Sequence, residues 1–72
     1  MNRKRRGADR GRFVEWLQRA IGDCETVMES SEEAIESAGR AADLIALVDA
    51  TERRERAARA ADLLRAKLIG LT

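Results

Sequence analysis

Apolar residues recur every three or four positions along much of this 72-residue chain. From Val14 to Ile45 the 3-4 spacing continues without a gap, with Ser31 as its one hydroxyl-bearing member. Such spacing places side chains on one side of an α-helix, and no run alternates apolar and polar residues as a half-buried strand does. Proline is absent, and Ala, Leu, Glu and Arg, which favour helices, dominate the composition. The sequence therefore predicts an all-α protein.

Two arrangements of helices are compatible with this pattern. Ser30 and Glu33 have the spacing of a capping box, which favours a break at the serines. The continuous apolar spacing favours instead one long helix over residues 10–48. The spacing fails at Asp49, and Asp49 and Glu52 again resemble a capping box, so we expect a turn there. We predict a helical hairpin or a three-helix bundle and prefer the break, with helices near residues 10–29, 31–48 and 52–69.

The length and the cysteine content limit how such a domain is stabilised. We expect a basic arm in residues 1–9 and a single helical domain in residues 10–72. A chain this short gains little free energy from its own core, and Cys24, its one cysteine, cannot form an intramolecular disulfide. Histidine is also absent, so we expect neither a zinc site nor any other metal or cofactor. Self-association, as a homodimer, or a protein partner is the expected source of further stability.

Charge is segregated along the chain as basic, acidic and then basic segments. The first segment is expected to be a flexible arm, because Gly7 and Gly11 interrupt it. It could contact nucleic-acid phosphates, dock on an acidic protein surface, or act as a solubilising tail. It contains no aromatic residue that could stack on bases. The candidate phosphate-binding residues are Arg3, Lys4, Arg5, Arg6, Arg10 and Arg12.

The central segment is strongly acidic. On a continuous helix its carboxylates form a ridge opposite the apolar stripe, and like charges at this spacing repel one another. The ridge could present negative charge to a basic partner, or could be a solvated surface that keeps a small protein soluble. Its members are Glu25, Glu29, Glu32, Glu33, Glu36 and Asp43.

Catalysis has little support in this sequence. There is no histidine to act as a general base at neutral pH, no tyrosine, and no glycine-rich phosphate loop after a strand. Cys24 lies within the apolar stripe, as expected of a buried structural thiol. We therefore expect a protein that is not an enzyme.

The leading functional hypothesis is a small interaction or regulatory module that binds a protein partner through an amphipathic helical face. The predicted partner-binding residues are Phe13, Trp16, Leu17, Ile21, Met28, Leu47 and Leu63. Phe13, Leu17, Ile21 and Met28 could also pair two copies. The alternatives are a nucleic-acid-binding protein that uses the basic arm on a dimeric core, and a structural subunit of a larger assembly.

The expected location is the cytoplasm. The basic start of the chain is not followed by the apolar stretch of a signal peptide, and the longest apolar run is too short to span a membrane. The high Arg and Ala content and low Lys content are typical of a GC-rich bacterial or phage genome.

Overall fold

The computed structural model describes the backbone of residues 3–71 and the side chains of residues 10–71. Helix α1 spans Arg3–Ala41 and helix α2 spans Leu44–Leu71. They pack against each other as a hairpin that measures 61 × 15 × 15 Å. The all-α prediction is confirmed, and of the two predicted arrangements the helical hairpin is the one that fits the described residues.

The predicted break at the serines is wrong, because α1 continues through both of them. The Ser30 hydroxyl donates a hydrogen bond to the carbonyl oxygen of Val27 at 3.1 Å, which satisfies this side chain inside the helix. Ser31 lies fully buried between the two helices. Neither serine caps a helix, so the continuous apolar spacing was the better guide to the length of α1.

The chain reverses at Ala42 and Asp43, not after Asp49 as predicted. The Asp43 amide donates to the carbonyl oxygen of Ala38 at 2.9 Å, and the Ala42 amide donates to that of Gly39 at 3.2 Å. These two bonds form a Schellman motif, in which the residue after the helix adopts a left-handed conformation. That residue is Ala42, with φ of 55°. The turn therefore satisfies the last carbonyls of α1 without a glycine at the left-handed position.

Asp43 also begins the second helix. Its Oδ1 atom accepts a hydrogen bond from the Ala46 amide at 3.1 Å, and its carbonyl accepts one from Leu47 at 2.9 Å. This is the geometry of a helix N-cap, in which a short polar side chain satisfies an amide of the first turn. A single aspartate thus links the end of one helix to the start of the next.

The two ends of the chain also differ from the sequence prediction. Helix α1 begins at Arg3, so the backbone from that residue to residue 9, predicted as part of a flexible arm, is helical. The side chains of residues 1–9 lie outside the described residues. Helix α2 continues through Gly70 to Leu71.

Small side chains form most of the seam between the helices. Among residues 10–71, Leu17, which is 1% exposed, is the one large apolar side chain that is buried completely. The other fully or nearly fully buried residues are spaced by sums of three and four positions on each helix, as in an antiparallel coiled coil. They are Ile21, Ser31 and Ala38 on α1, and Ala50, Ala57 and Ala61 on α2. The alanines let the helix backbones approach closely but bury little surface each.

The turn sets the register of the seam. Because Ala41 and Leu44 flank the turn, residues whose numbers add up to about 85 lie at the same height along the hairpin. The ion pair between Glu32 and Arg54 follows this relation. The turn also resets the apolar spacing, so Ile45, which continues the stripe of α1 in the sequence, is 79% exposed.

Candidate protein-interaction surface

The seam separates two sides of the hairpin with different chemistry. On one side, a shallow groove of about 330 Å³ is lined by Asp23, Cys24, Val27, Arg53, Arg56 and Ala57. We call it the Val27 groove. On the other side, a groove of about 400 Å³ is lined by Glu32, Ile35, Glu36, Thr51, Arg54 and Glu55. Residues seven positions apart share a side of a helix in such a seam, so each side can be followed along the hairpin.

The Val27 groove belongs to an apolar side, which we call the aromatic face. Phe13 lies two heptads before Val27, Trp16 lies one heptad before Asp23, and Leu63 lies one heptad after Arg56. The rings of Phe13 and Trp16 stack with centroids 6.0 Å apart and an interplanar angle of 7°. The aromatic face comprises these three apolar side chains, Phe13, Trp16 and Leu63, together with the Val27 groove.

The large side chains of the aromatic face are accessible to a partner. Trp16 is 57% exposed and Leu63 is 73% exposed, while Phe13 and Val27 are each more than one third exposed. Tryptophan and other aromatic residues contribute disproportionately to the binding energy of protein interfaces. An exposed stacked aromatic pair beside an apolar groove is therefore a surface suited to binding another polypeptide.

The opposite side is an acidic face. Its exposed carboxylates are Glu15, Glu25, Glu29, Glu32 and Glu36 on α1 and Glu55 and Asp62 on α2. Arg54 pairs with Glu32 at 3.1 Å, and Arg65 pairs with Glu25 at 3.6 Å. All four of these side chains are at least 40% exposed, so each pair contributes less than about 1 kcal/mol to stability. The face stays strongly negative, and it is the part of the surface least suited to packing against a second acidic surface.

Most of the predicted acidic ridge lies on one helix, but Asp43 does not belong to it. Glu29, Glu32, Glu33 and Glu36 line one shallow depression on α1. Asp43 lies in the turn, where its carboxylate caps α2. Glu55 and Asp62 join the acidic face from α2, and only the register between the helices could have revealed them.

Three of the seven predicted partner-binding residues lie on the aromatic face: Phe13, Trp16 and Leu63. Leu17 and Ile21 are buried against α2, and Met28 and Leu47 are half-buried in the seam. These four residues therefore pack between the helices, and Met28 and Leu47 are only partly exposed. Val27 and its groove were missed by sequence reasoning, although the seven-residue spacing from Phe13 could have indicated Val27.

A second exposed apolar patch lies at the tip of the hairpin. Leu44, Ile45 and Val48 are all more than half exposed at the start of α2. Sequence reasoning placed Ile45 in the buried stripe, and this assignment is wrong because the turn precedes it.

The predicted phosphate-binding residues divide between described and undescribed side chains. Arg10 and Arg12 are exposed on α1. The side chains of Arg3, Lys4, Arg5 and Arg6 lie outside the described residues. Helix α2 ends at Leu71, level with about residue 14, so α1 extends beyond α2 by the length of its basic segment.

The described part of the chain offers few residues for a metal site or a membrane-spanning segment. Within it, no group of three or more Asp, Glu, Cys or His residues is placed to hold a metal ion. Cys24 is an unpaired, half-buried thiol beside the Val27 groove. Neither helix, over its described residues, is long and apolar enough to cross a membrane.

Comparison with protein-family models, curated proteins and solved structures gives no match for this chain.

Proposed function

We propose that this chain is a non-catalytic interaction module that binds a helical protein partner through its aromatic face. The observation that carries this proposal is the stacked pair of Phe13 and Trp16, which is exposed next to a preformed apolar groove. A tryptophan in the seam would have stabilised the hairpin. Instead the seam uses alanines, and the tryptophan faces outward.

The shape of the hairpin supports association. Its accessible surface is 5931 Å². A compact monomer of its 8.0 kDa mass exposes about 4,450 Å², so the hairpin exposes about 1,500 Å² more. A standard protein interface covers about 800 Å² on each partner. The excess surface is therefore sufficient for one interface on this chain, and the module is expected to act in a complex, in the cytoplasm.

Site-specific photo-crosslinking in the cells that produce the protein tests this proposal. Benzoylphenylalanine replaces Phe13 and keeps an aromatic ring at this exposed position, and the matched control carries it in place of Gln18. Gln18 is also exposed and lies near the same height, but on the acidic side of α1. We expect polypeptide adducts from position 13 that are lost when Trp16→Ala is added. Equal adducts from both positions, or none from either, would contradict the proposal.

The basic segment supports a second candidate, contact with nucleic acid. It forms a single helix that extends past the end of α2, so it can reach a phosphate backbone without displacing the hairpin. Fluorescence anisotropy with labelled duplex and single-stranded probes tests it, with the intact chain and a form lacking residues 1–12, at two salt concentrations. Binding that falls steeply with salt and requires the segment supports it, and no binding at low salt refutes it.

A further inference from the structure

We propose that the partner at the aromatic face is a second copy of this chain, forming an antiparallel, two-fold symmetric four-helix bundle. In this dimer the Trp16 ring of each copy occupies the Val27 groove of the other. The inference rests on the proposed function of the aromatic face and names its partner. It differs from pairing through Leu17 and Ile21, because α2 already covers those residues.

The charge distribution selects the aromatic face for self-association. A two-fold axis brings the same surface of both copies together, so like charges on that surface would meet. Pairing through the acidic face would oppose two sets of clustered carboxylates, which is destabilising. Among residues 10–71 the aromatic face carries no glutamate, and its groove is lined by charges of both signs, Asp23 with Arg53 and Arg56. The face also includes three half-buried small residues, Ala20, Ala34 and Ala60. Small residues allow a second pair of helices to approach closely.

The spacing along the hairpin is self-complementary. The Val27 groove is centred at a height of about residue 27, and Trp16 lies about 11 residues away, or about 16 Å. If each Trp16 enters the groove of the other copy, the two-fold axis must cross the hairpin midway, at about residue 22. Leu63 of α2 lies at that height, because its number and 22 add up to 85. Seating the tryptophans thus brings the two Leu63 side chains, each 73% exposed in the single hairpin, against each other.

Further features of the groove suit this occupant. Arg53 and Arg56 line one wall, so a guanidinium group can lie over the indole ring in a cation–π contact.

The two-fold arrangement places α1 against α1 and α2 against α2. A parallel arrangement would instead bring Leu63 over α1 of the other copy. The contact that Leu63 makes therefore distinguishes the two arrangements: Leu63 meets Leu63 of the other copy in the antiparallel dimer and α1 of the other copy in the parallel dimer.

Three measurements on the full chain test the dimer. Sedimentation equilibrium gives the mass, which we expect to be twice 8.0 kDa at concentrations of about 10–100 µM. Trp16 is the one tryptophan, so its fluorescence emission should shift to shorter wavelength as the concentration rises. Trp16→Ala and Leu63→Glu should each weaken dimerisation by at least about tenfold while the helical circular dichroism signal remains. Ile45→Ala, at the exposed tip, should change neither mass nor affinity.

Disulfide trapping tests the geometry. In a Cys24→Ala background that is first shown to dimerise like the wild type, Leu63→Cys should form a covalent dimer under mild oxidation. Gln18→Cys in the same background should not. A dimer that Gln18→Cys traps and Leu63→Cys does not would overturn the proposed arrangement, and so would a dimer insensitive to Trp16→Ala.

The outcomes also separate this inference from the proposed function. A monomer at about 100 µM whose position 13 crosslinks to a different protein refutes the second copy and leaves the interaction module standing. A monomer without any polypeptide adduct refutes both. A dimer whose position 13 crosslinks to the same chain supports both.

Discussion

Replacement of Ser31 by alanine should stabilise the hairpin, although it removes a polar group from the seam. The Ser31 hydroxyl is fully buried between the helices, and its Oγ atom has no hydrogen-bond partner. Its neighbour Ser30 satisfies its own hydroxyl on a backbone carbonyl at 3.1 Å. Ser31 therefore bears the desolvation cost of a hydroxyl without the compensating bond.

The expected gain follows from three terms. An unmade hydrogen bond of a buried group costs about 1–3 kcal/mol, which alanine recovers. Alanine also has the higher helix propensity, by up to about 0.5 kcal/mol. Against these gains, alanine loses the van der Waals contacts of one oxygen atom, which are only a few contacts of about 0.1–0.2 kcal/mol each. The net stabilisation is about 2 kcal/mol, which for a domain of this size raises Tm by about 8–16 °C.

Thermal unfolding followed by circular dichroism measures this effect, at one fixed protein concentration because association also raises Tm. Ser37→Ala is the matched control, since Ser37 lies on the same helix and is exposed. Ser37→Ala should gain only the stability that comes from the higher helix propensity of alanine. If Ser31→Ala stabilises the protein no more than Ser37→Ala, or lowers Tm, then the buried hydroxyl is satisfied in solution and the reasoning is wrong.

Four further predictions concern the turn, the seam and the surface, and denaturant unfolding measures each of them. Ala42→Gly should stabilise the protein by about 0.5–1 kcal/mol, because glycine adopts the φ of 55° without strain, whereas Ala41→Gly should destabilise it; equal effects would contradict the left-handed assignment. Asp43→Ala should cost about 1 kcal/mol and Asp43→Asn much less, since asparagine also caps helices; equal losses would contradict capping. Leu17→Ala should cost about 2–5 kcal/mol and leave little folded protein, and a smaller loss would contradict its burial. Glu32→Gln should cost less than about 1 kcal/mol, decreasing with added salt, because its ion pair is exposed; a salt-independent loss would contradict this.

The sequence was sufficient for the fold class. It predicted the long first helix only as the alternative to the preferred break at the serines, and it did not locate the turn. The usual signal for a helix end is a glycine at the left-handed position, and here that position holds Ala42. Asp43 caps α2 without a glutamate three residues later, since Ala46 lies there. The capping-box spacing of Ser30 and Glu33 was present, but α1 continues through it and position 31 lies buried in the seam.

The candidate site was only partly predictable for the same reason. Trp16 could be selected because it lies at the edge of the apolar arc of α1, and Leu63 because it falls on an otherwise polar face of α2. Leu17 lies in the middle of that stripe, and a broad apolar stripe does not reveal whether α2 or another chain covers it. The Val27 groove is formed by both helices, so locating it requires their register, which the missed turn determines. The periodicity of the sequence thus identifies the apolar and polar faces of each helix, whereas the turn determines which of these faces contact each other.

The distribution of large and small apolar residues links the stability of the hairpin to its association. On α2 the fully buried positions are alanines, Ala50 and Ala61, which contribute little burial free energy beyond close backbone contact. Trp16 and Leu63 are left outside, and covering a large apolar side chain is worth about 1.5–3 kcal/mol each. A partner that covers both therefore adds free energy comparable to the few kcal/mol that so small a core supplies. Folding and binding are then coupled, so Tm should rise with the concentration of whichever chain covers the aromatic face.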